Sequence, residues 1–343
     1  MADTLSINII KDNTFISVMD PISETEFSKA LTSSPHNKAP GPSNIPSELW
    51  KYAGKNTKSA LHNLFNKCIQ EENIPEEWKN ATIILIPKPK QWKGNIDITR
   101  PITLLETARK ILTRILTDRI SALCSKHNIL RGNNISVLKD TNTTVPIHTI
   151  NNVMEHAREF KNDLWLTFQD MRKAYDSVGW IPIKMALQRI KMDDRFIQLL
   201  SKIHNERHNN IMTEFGPSPT YKVEDGIDQG ETYSPILWRI FYDPLLCEIQ
   251  ESHQQEGYTM THTWEHNINN ANKKSLKYTI NHLAFVDDTC WIANSENSTK
   301  IILDKAYEFF NLVDIEINLD KTEIIHVTNN NTTSEKTELQ SIL

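Results

Sequence analysis

Between residues 283 and 292 the chain reads Leu-Ala-Phe-Val-Asp-Asp-Thr-Cys-Trp-Ile, two apolar runs bent about a pair of aspartates. The alternation predicts strands over 276–285 and 289–293, with Val286-Asp287-Asp288 at the bend. An isolated Asp-Asp is ordinarily a turn or a helix start, and a helix start explains Asp193-Asp194. The apolar frame sets the later pair apart, because carboxylates crowded between buried strands repel one another unless cations neutralise them. Asp170 closes another apolar run, 164–169, and neighbouring strands of one sheet would bring it beside Asp287 and Asp288. Hard oxygen donors of this kind select magnesium. Two such ions about 4 Å apart activate a hydroxyl nucleophile and stabilise the leaving oxygen of phosphoryl transfer.

Around this centre the pattern is mixed. Ser23-Glu24-Thr25-Glu26 is a capping box with Ile22 and Phe27 placed as a staple, so a helix begins there. Lys38-Ala39-Pro40-Gly41-Pro42 is a rigid turn. Helical spacing of Leu61, Leu64, Phe65 and Cys68 predicts a helix ending near Pro75, and 81–86 reads as a buried strand. Further helices are expected at 104–127, 147–160, 182–190, 195–206, 233–249 and 298–312. Strands are expected at 164–169, on either side of Phe215-Gly216-Pro217, and at 322–327. The Asn-rich stretch 267–274 reads as a surface loop and 329–343 as a disordered tail. This order predicts an α+β fold with a helical N-terminal part.

Nine of the chain's 38 basic residues fall between Lys79 and Arg119 against three acidic ones, a local +6 in a chain of net charge −5. A basic strip on an acidic body suits a groove that grips phosphates, or simply a solvated helix face. Cys68, Cys124, Cys247 and Cys290 show no C-x-x-C spacing, which points to reduced thiols. The first residues lack a basic region followed by a long apolar one, and the apolar run 83–86 is far too short to span a bilayer. A soluble, intracellular protein with no membrane partner is the expectation.

Several segments carry motifs that belong together. Phe285-Val286-Asp287-Asp288 resembles the F/Y-x-D-D hairpin, and Asp170-Met171-Arg172-Lys173-Ala174-Tyr175-Asp176 the strand-end motif that pairs with it. Gly226-Ile227-Asp228-Gln229-Gly230 followed by Ser234-Pro235 resembles G-x-x-Q-G-x-x-x-S-P, and Arg100-Pro101-Ile102 with Leu104-Leu105 the R-P-I-S-L-L motif. Lys38-Ala39-Pro40-Gly41-Pro42 and Lys321-Thr322 match the flanking segments. Together, and in this order across 38–327, these segments resemble the reverse transcriptases of non-LTR (LINE-type) retrotransposons.

The resemblance implies a right-hand polymerase fold, with helix-rich fingers, an antiparallel-sheet palm and a thumb largely absent. It divides the chain into an N-terminal extension with a helix (1–37), fingers and their connection to the palm (38–160), a palm (161–328) and the tail. The reverse transcriptase domain as a whole covers about 70–328. The implied activity is RNA-directed DNA synthesis with two Mg2+ ions, or Mn2+, on Asp170, Asp287 and Asp288. Lys321 is the implied general acid, and Lys88 and Arg100 the triphosphate cations, with Lys90 and Lys93 equal alternatives to Lys88. Tyr175 would exclude a 2′-hydroxyl, while Gln229 and Gly230 contact nucleotide and template and Asp176 is structural. Partners would be an RNA template, a DNA primer and deoxynucleotides, with the element's own RNA as a ribonucleoprotein. Action at chromosomal DNA would make the location nuclear.

The chain departs from the pattern at Glu231-Thr232-Tyr233, where Glu231 adds negative charge near the template path, and at Ser43-Asn44. With the chain ending soon after Lys321, a catalytically inactive fragment that only binds nucleic acid is the alternative. An intron-encoded maturase would carry a basic downstream domain, and a two-metal nuclease would have no use for Arg100, Tyr175 and Gln229. His262-Thr263-Trp264-Glu265-His266 formally matches an inverted zinc-peptidase pattern but lacks a helical apolar face.

Overall fold

Ser23 begins the first helix as its spacing predicts. Its hydroxyl accepts from the Glu26 amide, and the Glu26 carboxylate accepts in return from the Ser23 amide. The computed structural model of the chain describes residues 10–89, 93–137, 144–265, 273–328 and 332–335. Its helices in chain order are α1 (Glu24–Thr32), α2 (Ser47–Tyr52), α3 (Lys55–Glu71), α4 (Thr107–His127) and α5 (Thr144–Phe160). They continue with α6 (Ala174–Ser177), α7 (Trp180–Arg189), α8 (Asp194–Asn205), α9 (Ser234–Ser252) and α10 (Glu296–Leu312). The strands are β1 (Asn80–Pro87), β2 (Thr99–Leu105), β3 (Leu164–Gln169), β4 (His208–Thr213), β5 (Gly216–Pro217) and β6 (Tyr221–Lys222). After them come β7 (Tyr258–Glu265), β8 (Lys273–Ile280), β9 (His282–Phe285), β10 (Asp288–Ala293), β11 (Glu323–Val327) and β12 (Thr332–Glu335).

Two compact units share the chain. The first comprises Met1–Ile129 and Tyr175–Leu237, the second Leu130–Ala174 and Trp238–Leu343. Both units are discontinuous in sequence. The cause is strand pairing: β4 lies parallel to β1, which returns the stretch after Tyr175 to the first unit. Helix α5 packs on β7, β9 and β11 and so belongs to the second.

In the first unit the sheet order is β2-β1-β4-β5, with β6 also on β4. Leu104 and Leu105, expected at the start of a helix, end strand β2, and the helix begins at Thr107. Apolar pairs at i and i+1 satisfy either period, and β2 is an edge strand, where Pro101 costs no ladder bond. In the second unit the order is β12-β11-β3-β10-β9, a five-stranded antiparallel sheet. Its core gathers Leu164, Leu166, Leu283, Cys290, Ile292 and Val327 with Val153 and Ala157 of α5.

Three further expectations need correction. The strand expected over 276–285 is two, because the Asn281 side chain donates to the carbonyls of Ile249 and His253 and β8 pairs with β7 rather than β10. His262 of the zinc-like pattern therefore sits on a strand, where i and i+4 ligand geometry is lost, and His266 lies outside the described residues. Within the tail, Thr332–Glu335 pairs with β11, while the rest of 329–343 lies outside the described residues. So does 267–272 of the expected loop, its last two residues, 273 and 274, belonging to β8. Among the described residues no helix is long and apolar enough to cross a membrane.

Candidate active site

The second unit brings the three aspartates together through register. Strands β3 and β10 are antiparallel with Gln169 opposite Thr289, so the next step along each strand sets Asp170 against Asp288. On the other side Asp288 pairs with Phe285, leaving Val286 and Asp287 as a two-residue turn. Val286 has φ +59°, a region that β-branched residues avoid, so this turn is strained and has to be held. Two side chains hold it. The Asn134 amide donates to the Val286 carbonyl at 3.0 Å and accepts from its N–H at 3.3 Å, and the Trp238 indole donates to the same carbonyl at 2.9 Å.

Asp170 is fixed from the segment before β11. Its Oδ2 accepts from Asn318 Nδ2 and from Lys321 Nζ, each at 2.8 Å, and its backbone carbonyl accepts from the Asn318 amide. The Thr322 hydroxyl accepts from the Asp170 N–H at 3.4 Å and donates to the Asn318 carbonyl at 2.9 Å. Burial raises the Asp287 carboxyl above its ordinary 3.8, with the charges of Asp288 and Asp170 adding to the rise and Lys321 opposing it. Asp288 is raised by burial and then by Asp170, again against Lys321. Asp170, Asp288, Phe285 and Lys321 line an open cleft of about 300 Å3.

Burial and neighbouring carboxylate charge thus raise Asp287 and Asp288, while Lys321 is bonded to Asp170 at 2.8 Å; hard oxygens of this kind are the donors that divalent cations take. Among the described residues no group of three His, Cys, Asp or Glu side chains is placed to hold a metal ion. Asp170 Oδ2 is instead committed to nitrogen donors.

The first unit carries the other candidates. Lys88 and Arg100 share one face of the β1–β2 hairpin: Arg100 lies opposite Ile86, two residues before Lys88, and the Lys88 amide donates to the Ile98 carbonyl at 2.9 Å. Neither forms an ion pair among the described residues, and Arg100 is exposed. Lys93 is exposed nearby in sequence, while Lys90 lies outside the described residues. The basic strip is therefore not uniform. Lys79 is buried against Glu76 and Glu206, Arg109 is fully buried, and Arg119 binds Glu26 at 2.7 and 2.9 Å.

Tyr175, half-buried on α6, accepts through its carbonyl from the Ile227 amide at 2.7 Å. Gly226 follows from this packing, since at φ +83° an added Cβ would sit 2.8–3.0 Å from the Asp176 backbone. The Gln229 carbonyl accepts from the Thr103 amide at 2.9 Å, docking the 226–231 loop on β2. Gly230, at φ +135°, would place a Cβ 2.6 Å from the Thr103 carbonyl, so the contact with β2 accounts for glycine at this position.

Glu231 requires the clearest revision. Its carboxylate is buried, accepts from Arg109 Nε at 2.8 Å and from the Thr113 hydroxyl at 2.6 Å, and presents no charge to a passing strand. Arg109 also reaches Asp228 and the Tyr233 hydroxyl, both at 3.3 Å, while Arg207 binds the other Asp228 oxygen at 3.0 Å. This quartet fixes the loop that carries Gln229. The residues that sequence reasoning missed are Asn134, Asn318, Trp238 as a hydrogen-bond donor, and Arg109 with Arg207. Only Arg109 left a signal, as a charge on the apolar face marked by Leu105, Ala108 and Leu112.

The profile of the family described as reverse transcriptase (RNA-dependent DNA polymerase) matches residues 86–340. A probable RNA-directed DNA polymerase from transposon BS of Drosophila melanogaster is 23% identical over 227 residues, 66% of this chain and 25% of that protein. A retrovirus-related Pol polyprotein from a type-1 retrotransposable element of Popillia japonica is 26% identical over 263 residues, 74% of this chain and 33% of its own length. The chain thus spans a quarter to a third of these relatives. Among solved structures, telomerase from Candida tropicalis in complex with a fragment of telomeric RNA aligns at a TM-score of 0.51 with 14% identity. The alignment covers 86% of this chain and 50% of that one, a likeness of fold: the right-hand polymerase fold.

Proposed function

The chain belongs to the reverse transcriptase (RNA-dependent DNA polymerase) family, and from that premise we propose that it extends a primer 3′-hydroxyl with deoxynucleotides copied from an RNA template. The observation that carries this reading is the strand-end pairing of Asp170 with Asp287-Asp288, with the ammonium of Lys321 bonded to Asp170. Asp170, Asp287 and Asp288 would hold two divalent ions, magnesium or manganese. Bound there, such ions acidify the primer hydroxyl and neutralise charge on the leaving oxygens.

The protein's own groups supply the rest. Lys321 carries its Nζ protons at the Asp170 carboxylate, beside the cleft, where it serves as the acid for the departing pyrophosphate. Lys88 and Arg100 bind triphosphate oxygens, the guanidinium through its planar fork. The Tyr175 ring lies under the sugar and rejects a 2′-hydroxyl, and Gln229, held in place through Gly230 and Thr103, contacts nucleotide and template. The polymerase reading extends to a DNA primer, to a ribonucleoprotein with the RNA of its own element, and to action at chromosomal DNA in the nucleus.

The test is primer extension on a homopolymer RNA template with Mg2+, comparing the chain with Asp287→Asn. Magnesium-dependent incorporation that disappears in the variant is expected. Absence of incorporation by the folded parent protein would remove the activity.

A further inference from the structure

The Asp287 turn depends on a side chain far from it in sequence. Asn134 is 2% exposed and carries no charge, yet both ends of its side-chain amide are bonded. Its Oδ1 accepts from the Ser136 hydroxyl at 2.6 Å, the Ser136 amide at 3.2 Å and the Val286 amide at 3.3 Å, while Nδ2 donates to the Val286 carbonyl at 3.0 Å. The two Ser136 donors fix which end of the amide is oxygen, so the nitrogen can only point at the Val286 carbonyl. Ser136 is itself fully buried, and its carbonyl accepts from Arg239 on α9. The backbone beside Asn134 joins in: the Ile135 amide donates to the Ala284 carbonyl and the Ala284 amide to the Asn133 carbonyl, both at 2.9 Å.

We propose that Asn134 is a positioning residue for Asp287, gripping both backbone polar groups of Val286 so that the strained turn keeps the carboxylate beside those of Asp288 and Asp170. The grip is bidentate and acts on the residue immediately before Asp287. It matters because a left-handed valine relaxes when released: nothing in its own backbone preference holds φ near +59°. Trp238 supports the same carbonyl from the other direction with one bond. The positioning role rests on the polymerase reading, whereas the grip on the turn does not.

Two measurements separate them. Hydrogen exchange of the 285–289 amides is compared between the full chain and Asn134→Leu, which keeps the volume and removes every bond. The expected result is exchange at Val286 and Asp287 faster by about tenfold or more, with exchange elsewhere in the sheet unchanged. Unchanged exchange at the turn in a folded Asn134→Leu protein would overturn the grip. Steady-state incorporation then reads the consequence: kcat lowered by about tenfold to a hundredfold, with nucleotide KM nearly constant, because the misplaced group acts on the transition state rather than on nucleotide binding. A raised KM with unchanged kcat would overturn the positioning role. If Asn134→Leu does not fold, Trp238→Phe removes one bond to the same carbonyl and keeps a large ring. It should give the same pattern at a few-fold amplitude, and unaltered exchange and kcat there would overturn the proposal. A parent protein that incorporates nothing but shows the exchange effect would end the polymerase reading and leave the grip intact.

Discussion

Each unit contains a cluster of charged side chains, and the two are balanced in opposite ways. In the first, Arg109 and Arg207 meet Asp228 and Glu231 one for one, all buried, with a hydroxyl or carbonyl on nearly every remaining lone pair or proton. In the second, Lys321 is bonded to Asp170, and Asp287 and Asp288 are raised by burial and by neighbouring carboxylate charge, with no ion pair of their own among the described residues. A saturated cluster ties backbone together and has nothing left to offer a ligand. An unsaturated one costs stability and is kept because something else arrives to neutralise it. The contrast separates architecture from chemistry better than the mere presence of buried charge does.

The contrast can be broken at several points. Asp287→Asn removes one excess charge; incorporation should fall by on the order of a thousandfold, measured by primer extension, while the melting temperature holds or rises. Arg109→Met does the reverse. It strands Glu231 and part of Asp228 without a cation and should cost about 3–5 kcal/mol in denaturant unfolding. Gly230→Ala forces a Cβ against the Thr103 carbonyl at a φ that side chains avoid, a loss of ~1–3 kcal/mol by the same assay. Arg100→Ala touches neither cluster. It should raise nucleotide KM by about tenfold in steady-state incorporation and leave unfolding unchanged.

The smallest effect is in pH dependence, and its sign differs between the units. Glu26, held down to about 2 chiefly by its hydrogen bonds to Arg119, contributes stability that is complete above its ordinary 4.5 and lost as pH falls toward 2. Asp287 is raised, so its charged form works against the fold at neutral pH, and that penalty fades as pH falls through the raised native value toward 3.8. Metal-free Asp287→Asn should therefore melt above the parent at neutral pH, and the gap should close in acid. Thermal melts of both proteins across that range check it.

Much of this was legible in the sequence because it is written locally. The Asp-Asp bend between alternating apolar residues, the run ending at Asp170 and the Ser23 cap all declare themselves within a few positions, and the order of segments marked the family. What stayed hidden depends on distant partners. Glu231 reads as an unwelcome surface charge until Arg109, more than a hundred positions earlier, is seen to take it. Asn134 and Asn318 look like any polar loop residues, since an amide's importance lies in what it meets. Strand β2 was masked by leucines that fit a helix equally well, and β7 declares itself only through its pairing with β8.

The most direct test of the contrast is a Mn2+ titration of the nucleotide-free protein followed by electron paramagnetic resonance, with Asp170→Asn and Arg109→Lys as comparisons. Saturable Mn2+ binding that is lost in Asp170→Asn and retained in a folded Arg109→Lys protein is the predicted result. Equal binding by the parent and Asp170→Asn would contradict the claim that the strand-end carboxylates are the protein's uncompensated charge.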